Sequence, residues 1–165
     1  MTERNPDQSF QQTIAMADQI RYLCAAITKL ARADLQSRLE NHASGIGAIE
    51  HGVLRHLSHG VNTMAAISRQ MGVAPSTLVY VVDGLVEKNM VKRGKDPRDR
   101  RREPLLLTRK GADVFAGIPK METSSPLVKS LSGMKGTRQR QFVELLKEFA
   151  EGLPGLEQFR LHSES

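Results

Sequence analysis

The sequence predicts a mainly α-helical chain carrying one small β-hairpin, and three observations predict it. Apolar residues recur at three- and four-residue spacing near both ends. Two short helical segments in the middle are separated by a three-to-four-residue turn containing Gly72. After them, Val91 to Lys110 reads VKRGKDPRDRRREPLLLTRK, two extended runs around a Pro-containing turn. That stretch holds nine Lys or Arg and three acids, a net +6 equal to that of the whole 165-residue chain, so the remainder balances. Charge so concentrated, followed at once by apolar Leu105, Leu106 and Leu107, points to a folded basic hairpin directed at a polyanion. A solvated basic tail would lack the apolar run.

Composition narrows the polyanion. With 39% hydrophobic residues the chain is the size of one domain, or of a small domain wrapped in dimer-forming helices. No run approaches the roughly 18 apolar residues that span a membrane, and the start MTERNPDQSF lacks the layout of a signal peptide. A cytoplasmic protein with no membrane partner is expected. The single cysteine, Cys24, excludes an internal disulfide framework and any multi-cysteine zinc site. Aromatics make up only 4%, with no Trp, which disfavours base stacking on single strands. Duplex DNA is the better fit.

The elements follow in order. Ile14, Ala17, Ile20, Leu23, Cys24 and Ile27 begin a stripe that continues to Leu39 with no Pro or Gly to break it. This reads as one long amphipathic helix, and so short a chain has few spare segments to cover it, so self-association is expected. After a break at Asn41 to Gly45, Ile49, Val53, Leu54 and Leu57 mark a second helix that ends at Ser58-His59-Gly60. Asn62 is the expected cap of a third, through Met64, Ile67 and Met71, which stops at Gly72. Pro75 pre-sets the first turn of a fourth, through Leu78, Val82 and Leu85 to about Asn89. Two strands, Met90 to Lys95 and Arg101 to Leu107, then flank Asp96-Pro97-Arg98-Asp99, with Pro104 forcing an edge or a bulge. Thr108 caps a further helix, broken by Gly117, Pro119 and Pro126 on the way to about Leu131. A last stripe, Phe142, Leu145, Leu146, Phe149 and Leu153, closes at Gly152 to Gly155.

A helix-turn-helix followed at once by a basic hairpin is a winged helix. The expected division is a dimerisation helix over 1–41, a winged helix-turn-helix lobe over 42–110, and further dimerisation helices with a tail over 111–165.

The stretch VVDGLVEKNMVKRGKDPRDRRREPLLLTRKGADVF resembles the recognition helix, wing and following helix of the multiple-antibiotic-resistance regulator (MarR) family of dimeric winged-helix repressors. The wing pattern Asp-x-Arg-x5-Leu-Thr is met by Asp99, Arg101, Leu107 and Thr108, with Asp83, Leu85, Val86 and Gly111 also in place. The specific match covers about residues 62 to 115. The resemblance implies that Asp99 pairs with Arg101 to hold the wing while a tip arginine, Arg98 or Arg100, enters a minor groove. A narrow A·T-rich groove has the negative potential to receive it. The chain departs from the pattern early in the recognition helix, where relatives often carry arginine and this sequence has Pro75 and Tyr80. That face offers Ser76, Thr77, Val79 and Tyr80, none able to make the bidentate contact of arginine to guanine. Thymine-methyl and hydroxyl contacts are therefore expected to specify bases. Lys92, Arg93 and Lys95 on the wing, with Lys88 and Arg69, are candidate phosphate contacts.

Regulation is less legible. Cys24 matches in position the oxidised cysteine of a peroxide-sensing branch, and Arg21 lies one turn away to stabilise a thiolate. The tyrosines that branch uses are not evident, and a cysteine on an apolar stripe is more commonly a small buried hydrophobe. His42, His51, His56 and His59 lack metal-ligand spacing, so no metal and no cofactor is expected. The resemblance implies a small aromatic or phenolic ligand between the dimer helices and the winged lobe.

The expected function is a homodimeric regulator on a pseudo-palindromic duplex operator, a repressor released by that ligand. A low-specificity DNA-coating protein and a winged-helix protein-interaction module are the alternatives. An enzyme is not expected, because no phosphate loop or nucleophile-and-base grouping is present and Ser44-Gly45-Ile46-Gly47 is too sparse to count.

Overall fold

The computed structural model describes residues 6–42, 45–95 and 103–154. Helix α1 (Pro6–Asn41) precedes α2 (Ala48–Ser58), α3 (Met64–Met71) and α4 (Pro75–Glu87). Strands β1 (Val91–Arg93) and β2 (Leu105–Leu107) follow, then α5 (Arg109–Gly117), α6 (Pro126–Ser132) and α7 (Gly136–Glu151). The two strands pair antiparallel, Val91 opposite Leu107 and Arg93 opposite Leu105. This is a winged helix: three short helices and a two-stranded wing, attached to longer helices on either side.

The short helices are ended by a repeated device. One or two residues beyond α2, α3 and α4 the backbone takes a positive φ, 80° at Gly60, 61° at Gly72 and 58° at Asn89. In each, the next amide then reaches back to a carbonyl five residues earlier: Val61 to His56, Val73 to Ser68 and Met90 to Leu85, at 2.9 to 3.1 Å. These are Schellman closures, which satisfy the last carbonyls and reverse the chain within two residues. Asn89 is tolerated there because asparagine enters the left-handed region at small cost. The closure at Met90 leads directly into β1.

Side-chain caps fix the helix starts. Thr108 Oγ1 accepts from the Gly111 amide at 3.0 Å, as expected, and also donates toward the Asn89 carbonyl. At α3 the cap is Thr63, whose Oγ1 accepts from the Ala66 amide, and not the expected Asn62. The Asn62 carbonyl instead accepts from the Leu105 amide at 2.8 Å, which ties the loop before α3 to β2. The strands are shorter than expected. Pro104 lies just outside β2, where its carbonyl accepts from Gly94.

The core belongs to the winged lobe. Val53, Leu54, Ile67, Leu78, Val82 and Leu85 are fully buried, joined by Leu39 from the end of α1 and Ile118 after α5. Gly111 is buried against the wing, and a side chain there would strike the Met90 carbonyl. The longer helices contrast with this. Helix α7 buries no residue, and its Phe142, Leu145, Leu146 and Phe149 are exposed. Phe10, Ile14, Leu23, Ile27 and Leu30 of α1 are exposed as well. Cys24, expected to be a buried hydrophobe, is also exposed within the single chain.

Candidate nucleic-acid interface

Helix α4 turns its apolar ridge, Leu78, Val82 and Leu85, into the core, which sets the opposite face toward solvent. Ser76, Thr77, Val79 and Tyr80 all lie exposed on it, Tyr80 at 81%. The sequence had placed these four together and the helix does so. No Lys or Arg occurs between Pro75 and Glu87, so cations reach this side of the lobe only from other elements.

Those cations divide into two sets. Arg69 near the end of α3, Lys92 in β1 and Lys95 beyond it are exposed and have no side-chain partner among the described residues. Arg93 and Lys88 are held internally. The Arg93 guanidinium meets Asp83 at 2.6 Å, binding β1 to α4 across the base of the wing. With both partners substantially exposed the pair adds little stability, and its effect is to orient the strand. The Lys88 ammonium donates to Glu50 Oε1 at 2.8 Å and to the Gly45 carbonyl at 2.7 Å. Glu50 also accepts from the Gly47 amide with its other oxygen, closing the start of α2. Lys88 therefore braces the recognition helix against α2 in place of an expected phosphate contact. Neither internal pair was legible from spacing alone. Arg98, Asp99, Arg100 and Arg101 lie outside the described residues.

A short helix, a tight turn and a second helix with one exposed face, followed at once by a two-stranded wing, is the layout of a winged helix-turn-helix. Residues 44–102 match the family model described as the MarR family. Over those residues the winged lobe is similar to the MarR family. Solved MarR-like structures agree in fold over most of the chain. BldR from Sulfolobus solfataricus, described as a transcriptional regulator, is 20% identical with a TM-score of 0.67, covering 85% of this chain and 98% of its own. Apo MarR from E. coli is 21% identical with a TM-score of 0.66, covering 78% and 94%. CouR from Rhodococcus jostii RHA1, bound to p-coumaroyl-CoA, is 22% identical with a TM-score of 0.62, covering 83% and 95%. Comparison with curated protein sequences finds no match.

Among the described residues no helix is long and apolar enough to cross a membrane, and no three His, Cys, Asp or Glu are grouped to hold a metal ion. The Arg21 expected beside Cys24 is paired with Asp18 at 2.7 Å. A cavity of about 860 Å³ opens between α1, α2 and the segment that follows α5. Sequence reading missed it, because its residues come from three distant segments.

Proposed function

We propose that the chain is a homodimeric, sequence-specific DNA-binding regulator that represses transcription and is released by a small molecule. The observation that carries this reading is the exposed face of α4, where Thr77, Val79 and Tyr80 stand clear of the core on a lobe whose free cations sit at its edges. Hydroxyls and a β-branched methyl suit thymine-rich steps of the major groove, while Arg69, Lys92 and Lys95 suit the phosphates on either side. Two such lobes on a dimer would meet half-sites about one helical turn apart. The exposed apolar faces of α1 and α7 support dimerisation, since faces of that kind are normally covered in a soluble protein. Release by a ligand draws support from the cavity beside α2 and from the p-coumaroyl-CoA held by CouR.

The absence of any Lys or Arg along α4 favours, as a second reading, a low-specificity protein that coats DNA through its wings. Thr77→Ala and Tyr80→Ala separate the two. On the proposed reading each weakens binding to the preferred duplex by about tenfold and leaves a scrambled duplex unaffected, as read by fluorescence anisotropy. Equal losses on both duplexes would leave the coating protein standing and the sequence-specific regulator without support.

A further inference from the structure

The cavity beside α2 has an unbalanced lining. Its apolar part is built from Ile27 and Leu35 of α1, Phe115 of α5, and Ile118 and Met121 beyond. Its cations are Arg32 and Arg38 of α1, Arg55 of α2 and Lys120, and no Asp or Glu lines it. Only Arg38 is internally engaged, with Asp34 at 3.1 Å and the Pro119 carbonyl at 2.9 Å. Arg32, Arg55 and Lys120 have no partner for their side chains among the described residues, so three positive charges without a carboxylate partner line one cleft. Like charges gathered over low-dielectric walls focus a positive field into the space between them, and an anion there relieves their mutual repulsion. His51 completes the lining, its ring tilted against Phe115 at a centroid distance of 5.4 Å.

We infer that this cavity binds an amphipathic phosphate ester, with an aryl or acyl body against Phe115 and Ile118 and a dianionic phosphate held by Arg55, Arg32 and Lys120. This rests on the ligand-responsive reading proposed above and names the chemistry of its ligand. A single carboxylate would balance one of the three charges and leave two, whereas a phosphate monoester carries close to two negative charges at neutral pH. The planar guanidinium matches phosphate oxygens two at a time, and two of the three free cations are arginines. The volume, about 860 Å³, is far more than one small aromatic ring fills and lies toward the upper end of drug-sized sites. The small phenolic acid implied by resemblance underuses both the charge and the space.

The test is calorimetric titration of the full chain with four probes: 2-naphthyl phosphate, 2-naphthoate, 2-naphthol and inorganic phosphate. The first three share one apolar body and differ in charge. Naphthyl phosphate is expected to bind at least about tenfold more tightly than naphthoate, with naphthol and inorganic phosphate weaker still. Arg55→Met and Lys120→Met, at exposed positions that leave the core intact, are each expected to weaken naphthyl phosphate about tenfold and leave naphthol unchanged. Equal binding of naphthoate and naphthyl phosphate overturns the phosphate assignment. Unaltered naphthyl phosphate affinity in both variants overturns the site, placing the anion on the wing. Operator release is scored separately: binding at this cavity without release sustains the inference and removes ligand release from the proposed function, while absent binding overturns the inference and leaves DNA recognition untouched.

Discussion

His51 is where the chemistry of the cavity meets that of the solvent. Burial holds its pKa below the ordinary histidine value, and the positive charges of Arg55 and Arg38 push it in the same direction. The folded chain therefore favours the neutral imidazole, the unfolded chain binds the proton more readily, and His51 withdraws stability as pH falls through the unfolded histidine range near 6.5. A dianion beside Arg55 would offset the positive field and raise the His51 pKa. Histidine ring NMR should thus show His51 titrating below the ordinary histidine value in the free protein and moving upward on addition of naphthyl phosphate. An unmoved titration would separate His51 from the anion. Gly111 gives a structural counterpart: Gly111→Ala sets a methyl against the Met90 carbonyl, just before β1, and against the Leu107 side chain. A loss of roughly 1–3 kcal/mol is expected in denaturant unfolding. Retention of full stability would mean that the wing root is looser than its packing indicates.

At the scale of elements, local chemistry was legible and tertiary competition was not. Thr108 before an amphipathic run, Gly72 after one and Pro75 at a first turn each act within four residues, and each stands where the sequence placed it. Asn62 and Thr63 are both good caps by type, and the choice between them is made by Leu105, forty residues away, whose amide takes the Asn62 carbonyl. Lys88 and Arg93 likewise looked like free surface charge because Glu50 and Asp83 approach them only in the folded lobe. The cavity cations were invisible for the same reason, being spread over α1, α2 and the segment after α5. Asp83→Ala should therefore free Arg93 for phosphate and steepen the salt dependence of DNA binding. The opposite change is expected of Arg98→Ala with Arg100→Ala, which should flatten the slope of log K against log salt by about one unit per lost contact. An unaltered slope in the double variant removes the wing tip from the interface.

For the whole molecule, a core built mainly from the winged lobe, with Leu39 and Ile118 joining it, leaves α1 and α7 with apolar residues that the described residues do not cover. The long stripe read from the sequence was correct in kind, and α1 extends further, from Pro6 to Asn41, roughly 54 Å at 1.5 Å per residue. On the proposed dimer, this helix would meet a second copy. Leu145→Glu with Phe149→Glu should shift the chain to a monomer in sedimentation velocity and lower operator affinity steeply, because each lobe then binds its half-site alone. A double variant that still sediments as a dimer would place the interface elsewhere. The central claim, that this is a dimeric sequence-specific regulator, is tested most directly by selecting bound sequences from a random duplex library and titrating the winner with salt against a scrambled control. The account predicts a two-fold-symmetric site that keeps a preference of about 10³ or more over the control. An unenriched pool, with both duplexes released together as salt rises, would contradict it.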